Sequence, residues 1–345
     1  MQPDLTHEFI PSRPQQFKSC HASTILPLTD GRLLAAWFGG TREKHPDVGI
    51  WCSRRDASGT WSDPEKIADE AALPHWNPVL ADAGREEVVL FYKVGPDPRE
   101  WRTRTKRSSD GGRTWSSPEV IPFQIEGPYE ISNAIVVTDD GRWLAPTATL
   151  HDGRYGEYVV VHESADEGKS WPHMHTVFQD SGTGIGYLEQ KLIQCQPGRV
   201  MAIAWVQDFA NDTDLKNEYA FSEDGGRTWG GPHPTGIQGQ TMTPIWLGDD
   251  RFVVLYNKRF GDQSVQMCLV RATSGSWEIE FEGMLFDGQA RLELTDEVSS
   301  QEQIGLIQFG YPMGVYLNEQ TLLTVHWCAE DGVCGIRWTR VRLGW

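Results

Sequence analysis

Apolar and polar residues along the chain form a repeated unit, in which a polar turn precedes an apolar run of strand length. Six segments show it: TDGRLLAAW (29–37), AGREEVVLFY (83–92), DDGRWLAPT (139–147), QPGRVMAIAW (196–205), GDDRFVVLY (248–256) and NEQTLLTVHW (318–327). Their turn markers, 53, 57, 57, 52 and 70 residues apart, are Gly31, Gly84, Gly141, Gly198, Asp250 and Gln320. Turns of this kind between strand-length runs predict six β-hairpins.

A second repeat lies between the hairpins. SSDGGRTWSSP (108–118) and SEDGGRTWGGP (222–232) are nearly identical, and looser copies occur at 164–174, 53–64 and 271–279. The five tryptophans of these copies, spaced 54, 56, 58 and 48 residues apart, are Trp61, Trp115, Trp171, Trp229 and Trp277. Asp can bond the amides of a tight turn, Gly allows positive φ, and Trp buries against the hairpin. We therefore predict that Asp110 and Asp224 are structural rather than catalytic.

Two interleaved repeats with a common period near 50 residues predict a radial architecture of about four strands per unit. Six hairpins predict an all-β, six-bladed β-propeller that occupies residues 1–345 as a single domain. GIRWTRVRL (335–343) is expected to close the last blade, and the N-terminal segment around Glu8–Phe17 is a candidate additional strand for that blade.

Composition narrows the classes of partner. With 48 acidic and 31 basic residues the formal charge is −17, which disfavours nucleic-acid binding. No apolar window is long enough for a membrane helix, and the first residues have no secretory signal pattern. We expect a cytoplasmic protein, unless a leader was removed from an exported form. The six cysteines form no CxxC pair, so no metal and no cofactor are predicted; Cys328 and Cys334 could pair across a hairpin in an exported form.

The hairpin register predicts a functional site. The position nine to eleven residues before each turn marker holds a polar residue in every repeat. These residues are His21, His75, Glu130, Glu189, Gln240 and Tyr311. The innermost strands of a propeller start at one face, so we expect these side chains to converge in one pocket.

The loops that follow the hairpins should lie on the same face. Their cations and His151 could recognise an anionic group, since Arg offers a planar fork of donors. These side chains are Arg42, Lys93, Arg102, His151, Arg154, Lys258 and Arg259. Trp76 and Trp101 could stack on a sugar ring. Cationic loops around the pocket of an otherwise acidic protein point to an anionic oligosaccharide or glycan as the partner.

The turn repeats resemble the Asp-box (BNR) repeats of the sialidase superfamily over nearly the whole chain. The resemblance implies a propeller with a Tyr nucleophile, a Glu that takes its proton, an Asp acid/base and three Arg that clasp a sugar carboxylate. GYPMGVYLNEQTLLTVHW (310–327) is similar to the Tyr segment, which places Tyr311 as nucleophile. LEQKLIQCQPGRVMAIAW (188–205) is similar to the Glu segment, which places Glu189 as base. Asp47 in TREKHPDVGIW is the candidate acid/base.

The chain departs from that family in its arginines. Cys20 or His21 stands at the first arginine position, Trp205 stands at the second, and Arg259 is out of register for the third. A sialic-acid carboxylate would lose most of its clasp here. The site has gained His21, His75 and His151 instead, and histidines transfer protons near neutral pH.

Three functions fit this pattern. The first is a sialidase-like exo-glycosidase that hydrolyses a terminal acidic or modified sugar, with Tyr311, Glu189, Asp47 and His21 as catalytic candidates. The second is a polysaccharide lyase or a His-dependent glycosidase that acts on a glycan containing uronic acid. The third is a glycan-binding propeller without catalysis.

Overall fold

The fold consists of β-strands joined by turns and loops. The computed structural model describes residues 3–11, 16–70, 72–97, 100–121, 129–131, 133–151, 154–292 and 307–344, with side chains except at 129–130, 148–151, 154–157 and 290–292. Within these ranges 26 strands form six antiparallel sheets, one for each predicted hairpin. The prediction of an all-β, six-bladed β-propeller is confirmed. The chain divides into two compact units, which we describe separately, and the single domain stays a prediction.

The first unit comprises residues 1–121 and 308–345 and contains three sheets. The first sheet is β2 (Ser19–Pro27), β3 (Leu33–Gly40), β4 (Gly49–Arg55) and β5 (Glu65–Ala68). The second is β6 (His75–Gly84), β7 (Glu87–Val94), β8 (Arg102–Ser108) and β9 (Glu119–Val120). The sixth is β24 (Phe309–Asn318), β25 (Thr321–Glu330), β26 (Val333–Arg342) and β1 (Asp4–Phe9).

The second unit comprises residues 122–307 and contains the other three sheets. The third sheet is β10 (Tyr129–Ile131), β11 (Val136–Val137), β12 (Trp143–His151), β13 (Arg154–Ser164) and β14 (His173–Gln179). The fourth is β15 (Ile185–Gln196), β16 (Arg199–Asp208), β17 (Thr213–Asp214), β18 (Glu218–Ser222) and β19 (His233–Pro234). The fifth is β20 (Gln240–Gly248), β21 (Arg251–Lys258), β22 (Gly261–Thr273) and β23 (Ser276–Leu292).

The sixth sheet contains strands from both ends of the chain. β1 pairs antiparallel with β26, from Asp4 opposite Arg342 to Phe9 opposite Arg337. The predicted N-terminal strand therefore exists, but it begins at Asp4 and ends at Phe9 rather than extending to Phe17. It covers an edge of β26 that would otherwise present unpaired backbone groups.

Cys334 faces a different cysteine from the one expected. In the β25–β26 ladder Cys334 lies opposite Ala329, whereas its Sγ lies 3.0 Å from the Sγ of Cys20 on β2. The amide of Cys20 also donates to that sulfur at 3.2 Å. The expected pairing with Cys328 is therefore wrong, because adjacent positions on one strand point to opposite faces of the sheet.

The Asp-box turns are structural, as predicted. Oδ1 of Asp224 accepts hydrogen bonds from the amides of Arg227 and Thr228 at 3.0 and 2.8 Å, and Oδ2 accepts from the Thr228 hydroxyl at 2.6 Å. Asp110 makes the same set with the equivalent residues of the second sheet. Gly226 has φ +90°, and an added Cβ would come within 2.8 Å of Leu144 in the preceding sheet. Each box thus needs glycine both for its backbone and for close packing.

The apolar core lies between neighbouring sheets. In the second unit one buried cluster combines residues of the third and fourth sheets, and another combines residues of the fourth and fifth. The central strands contribute nearly continuous buried runs, such as Val200 to Ala204 on β16. Sheets that are covered on both faces favour such runs over strict alternation.

Candidate functional site

A β-bulge recurs in the first strand of five sheets. The pairing register shifts near the start of β2, β6, β15, β20 and β24. Each bulge has a non-glycine residue with a left-handed backbone: Ala22 (φ 51°), Asn77 (27°), Glu189 (47°), Thr241 (53°) and Tyr311 (58°). Positive φ is costly for such residues, and bulges of this kind re-aim side chains beside functional sites. Two of the five positions carry the proposed base and the proposed nucleophile.

Because of the bulges, the six candidate residues do not all occupy equivalent strand positions, as the sequence had predicted. The six residues do lie in the first strands of their sheets. However, His21 and Gln240 precede their bulge residue by one position, and His75 precedes Asn77 by two. An offset of one position along a strand turns a side chain to the other face. Of the six, only Glu189 and Tyr311 are described as occupying the bulge position, while the side chain of Glu130 lies outside the described residues.

Tyr311 is a buried phenol in the first unit. Only 9% of the residue is exposed. The Asn77 amide, which comes from the equivalent bulge of the second sheet, donates to the phenol oxygen at 3.4 Å. The two bulges therefore bring a hydrogen-bond donor to the one atom of Tyr311 that could act as a nucleophile.

His21 lies among aromatic rings of the first unit. Its ring stacks on Phe38 with centroids 5.4 Å apart, and it contacts Trp327 at 4.1 Å. Its Nε2 lies 3.1 Å from the Ser19 hydroxyl. Because the imidazole is partly exposed and has a polar partner, it offers both an apolar face and a proton-exchanging group.

The aromatic group continues into the second sheet. Phe38 contacts Trp76 at 5.7 Å between centroids, and Trp76 contacts Trp101 at 4.9 Å. The Trp76 indole donates to the Gly95 carbonyl at 2.7 Å, which fixes its ring. Lys93 is only 1% exposed, and its Nζ lies 4.2 Å from the centre of the Trp101 ring. A buried cation over an indole is stabilised by the ring quadrupole.

His75 has a structural role. Its Nε2 accepts from the amide of Glu70 at 3.0 Å, so the ring proton is on Nδ1, which lies 3.0 Å from the Val48 carbonyl and 2.9 Å from that of Leu73. The ring is fully buried and stacks on Tyr92. Burial lowers the pKa of His75. With both nitrogens bonded to backbone, we exclude His75 from the proposed site and correct the earlier prediction.

Asp47 holds its own loop together. Its oxygens accept from the Thr41 amide at 2.9 Å and the Thr41 hydroxyl at 2.6 Å, and His45 lies 2.8 Å away. Partial burial raises the pKa of Asp47, but the hydrogen bonds from Thr41 and the ion pair with His45 lower it to about 2. A general acid must carry a proton, so this conformation does not suit that role.

The predicted basic residues have different surroundings. Arg42 and Lys258 are exposed, and Arg102 is exposed with a bond from its guanidinium to the Trp101 carbonyl at 2.8 Å. Among the predicted cations whose side chains are described, Lys93 and Arg259 are at least partly buried. The side chains of His151 and Arg154 lie outside the described residues.

In the second unit, Glu189 has a lysine as its electrostatic neighbour. Lys191 lies two residues further along β15, is 3% exposed, and donates to the Thr243 hydroxyl at 2.6 Å. Burial lowers the pKa of Lys191 to about 7, while the charge of Glu189 acts in the opposite direction. This lysine was not among the residues chosen from the sequence.

Trp205, at the second arginine position of the resemblance, belongs to a polar cluster of the second unit. Its indole donates to Oδ1 of Asp214 at 2.9 Å, and the Gln240 amide donates to Oδ2 of the same carboxylate. The Arg259 guanidinium lies 5.7 Å from the centre of the Trp205 ring. Burial raises the pKa of Asp214, against the lowering effects of the Trp205 bond and the Arg259 charge.

Sequence reasoning missed Asn77, Lys191 and Asp214. Asn77 stands in the segment HWNPVL, beside the two residues that were chosen, and Lys191 is the only cation in the strand IGYLEQKLIQCQ. A cation within a buried strand is a usable signal, since such a group needs a partner. Asp214 gives no such signal, because its loop contains several acidic residues.

No group of three His, Cys, Asp or Glu side chains could hold a metal ion among the described residues. No helix in the described part of the chain is long and apolar enough to cross a membrane.

The six sheets and their Asp-box turns define a β-propeller of the sialidase type. Residues 31–313 match the family model described as a BNR repeat-like domain, and the chain belongs to that family. A search of curated protein sequences found no match.

Solved structures share the fold at low identity. A protein of unknown function from Dyadobacter fermentans DSM 18053 is 18% identical, with a TM-score of 0.77 over 98% of this chain and 99% of its own. The Hadza microbial sialidase Hz136 is 15% identical, with a TM-score of 0.69 over 94% of this chain and 66% of its own. Trypanosoma rangeli sialidase in complex with sialic acid is 12% identical, with a TM-score of 0.69 over 99% and 59%. At this identity the likeness shows the fold, and this chain spans about two thirds or less of both sialidases.

Proposed function

We propose that this protein is a glycoside hydrolase that removes a terminal sugar from a glycan, with Tyr311 as nucleophile and Glu189 as base. One observation carries the proposal: both residues occupy the bulge position of their strands, with φ of 58° and 47°. A strained backbone at a bulky Tyr and at a Glu is uncommon and concentrates at functional sites. Membership of a fold family that includes sialidases supports it.

The proposed chemistry proceeds in two steps. The phenol oxygen of Tyr311 attacks the anomeric carbon while a carboxylate base accepts the phenol proton, a role that the family resemblance gives to Glu189, and the leaving-group oxygen takes up a proton as it departs. Water then cleaves the tyrosyl–sugar bond and restores the phenol. A phenol with a pKa of about 10 needs such a base near neutral pH. Asp47 can give the leaving-group proton only after its loop releases it from Thr41 and His45.

We propose that the aromatic side chains of the first unit bind the sugar. His21 and Trp101 are partly exposed and are backed by the buried Phe38 and Trp76. Flat rings of this kind pack against the apolar face of a sugar. We propose further that the sugar is acidic or modified, because the buried cation Lys93 lies beside Trp101 in the same unit.

The test is a panel of neutral and acidic 4-methylumbelliferyl glycosides and reduced oligosaccharides, incubated in H₂¹⁸O and read by mass spectrometry. Hydrolysis adds labelled water to the sugar. Tyr311→Phe should reduce turnover by at least about a thousandfold. Tyr316→Phe is the matched control, because Tyr316 lies on the same strand beyond the bulge and should keep turnover near wild type.

The same panel separates the alternatives. Unsaturated, ultraviolet-absorbing products without ¹⁸O would indicate a lyase that acts on uronic-acid glycans. Binding without turnover across the panel would indicate a glycan-binding propeller. Hydrolysis that survives in Tyr311→Phe would refute the nucleophile assignment.

A further inference from the structure

Two cysteine sulfurs of the first unit are in contact between neighbouring sheets. The Sγ atoms of Cys20 on β2 and Cys334 on β26 lie 3.0 Å apart. The Cys334 sulfur also accepts from the Cys20 amide at 3.2 Å, and its S–H donates to the Cys20 carbonyl at 3.6 Å. A disulfide bond measures about 2.0 Å, so the two sulfurs need to approach by only about 1 Å to be joined.

The two thiols differ in exposure and in acidity. Cys334 is partly exposed near the start of β26, whereas Cys20 is fully buried. Hydrogen bonds from the Cys20 thiol and amide lower the pKa of Cys334, and burial raises the pKa of Cys20. Oxidants react with the accessible thiolate. Cys334 is therefore the sulfur that meets an oxidant, and Cys20 is the sulfur in contact that can resolve the product.

The other four thiols lie in settings that keep them unreactive. Cys52, Cys195 and Cys268 are fully buried, and each donates to a backbone carbonyl. Cys328 is also fully buried, on β25 beside β26. Buried thiols in apolar surroundings are inert because they stay protonated and out of reach. This leaves one thiol that an oxidant can reach and one sulfur in contact with it.

We propose that Cys20 and Cys334 form a reversible redox site, in which hydrogen peroxide joins the two sulfurs into a disulfide that ties β2 to β26. First the Cys334 thiolate attacks a peroxide oxygen. The S–O bond forms, the O–O bond breaks, and hydroxide leaves and takes up a proton to become water. Then the Cys20 sulfur attacks the Cys334 sulfenic acid. The S–S bond forms, the S–O bond breaks, and the hydroxyl group leaves with the Cys20 proton as water. Two thiols and one peroxide thus give one disulfide and two waters.

The bond cross-links two sheets through residues that are far apart in the chain. Cys20 and Cys334 are separated by 314 positions, and β26 also pairs with the N-terminal strand β1. A cross-link restricts the unfolded chain, and the restriction grows with the length of the closed loop. Oxidation should therefore stabilise the fold. Because Cys20 directly precedes His21, the bond also fixes the start of the strand that carries this imidazole. The redox site does not depend on the proposed hydrolase activity.

Peptide mapping tests which sulfurs are joined. The reduced protein is treated with hydrogen peroxide, its remaining thiols are blocked with N-ethylmaleimide in denaturant, and it is digested with trypsin and endoproteinase Glu-C without reductant. Cleavage after Glu330 separates Cys328 from Cys334, so mass spectrometry identifies the partner of each sulfur. We expect a linked pair of peptides that contain Cys20 and Cys334, two hydrogen atoms lighter than the reduced peptides together, which dithiothreitol separates.

Alanine variants test the order of the steps. Cys20→Ala should leave a sulfenic acid on Cys334 that dimedone traps, because the resolving sulfur is absent. Cys328→Ala is the matched control, since it removes a fully buried thiol from the neighbouring strand and should form the linkage as wild type does. Oxidation should raise the Tm of wild type by at least about 3 °C and should not raise that of Cys334→Ala.

Mapping of the wild-type protein needs no substitution, so the proposal stays testable if a variant does not fold. A linkage of Cys334 to Cys328 would overturn it. The same holds for oxidation of Cys334 to the sulfinic or sulfonic acid without a linkage, and for thiols that stay reduced in excess peroxide. A Cys20–Cys334 linkage without a rise in Tm would refute the role of the bond in tying the two sheets together.

Discussion

Asp224→Asn in the Asp-box turn of the fourth sheet should lower the free energy of unfolding by about 1 kcal/mol at pH 7. The substitution keeps the side-chain shape but removes the negative charge. It also replaces one carboxylate oxygen by an NH₂ group, which donates. The oxygen that is lost accepts either from the Arg227 and Thr228 amides or from the Thr228 hydroxyl. The turn then loses at least one charge-assisted hydrogen bond.

The magnitude follows from the pKa of the carboxyl. Partial burial raises it, but hydrogen bonds from Thr228 and Ser222 lower the pKa of Asp224 from 3.8 to about 2. A pKa difference of that size between the folded and unfolded states contributes at most roughly 2.4 kcal/mol to the free energy of unfolding at neutral pH. Asp224 is exposed, so solvent screening reduces it to about 1 kcal/mol. Because the folded pKa is depressed, this contribution is complete above about pH 4, falls to roughly half at pH 3, and is lost below pH 2.

Urea and thermal unfolding at pH 7 and at pH 3 test the prediction. A loss of about 1 kcal/mol should shift Tm by roughly 1–3 °C for a cooperative unit of this size. Glu319→Gln, on the exposed turn between β24 and β25, is the control for removal of a surface carboxylate and should leave stability within about 0.5 kcal/mol of wild type. Equal destabilisation of Asp224→Asn at both pH values, or none at pH 7, would refute the reasoning.

Three further predictions concern other buried groups. His75→Phe removes the acceptor of the Glu70 amide, which lies in the loop between β5 and β6, so urea unfolding should show a loss of about 1–3 kcal/mol. Trp171→Ala removes a fully buried indole and should cost about 3–5 kcal/mol, whereas the partly exposed Trp115→Ala should cost less; equal losses would contradict the burial argument. Hydrogen bonds from Cys20 lower the pKa of Cys334, the one partly exposed thiol of the six, so iodoacetamide should alkylate Cys334 first by peptide mass mapping.

The part of the fold that could be predicted from sequence depends on short-range chemistry. A hairpin is determined by a few adjacent residues, and the Asp-box by the bonds that Asp224 makes within four residues of itself. Both patterns therefore appear directly as repeats with a common period. The same logic explains the prediction of Glu189 and Tyr311, which stand at a constant distance before their turns.

The candidate site was harder to predict because counting residues does not reveal a bulge. One extra residue in β2 and in β20 places His21 and Gln240 one position before the bulge, and both ring nitrogens of His75 bond to backbone groups. Asn77 was not chosen as a site residue, although its neighbours in the same short segment were. These differences come from pairing between strands, which no local pattern records.

The sequence by itself determined six hairpins, the structural Asp-box turns and the all-β propeller, because each depends on contacts between residues close in the chain. Only the tertiary structure decided which face each polar side chain takes, that Cys334 meets Cys20, and that Lys191 is buried in the same strand as Glu189. Those outcomes depend on ladder register and on packing between residues far apart in the chain, such as Lys191 with Thr243, 52 residues apart, and Cys20 with Cys334, 314 residues apart. One shifted position in a ladder reverses the direction of a side chain.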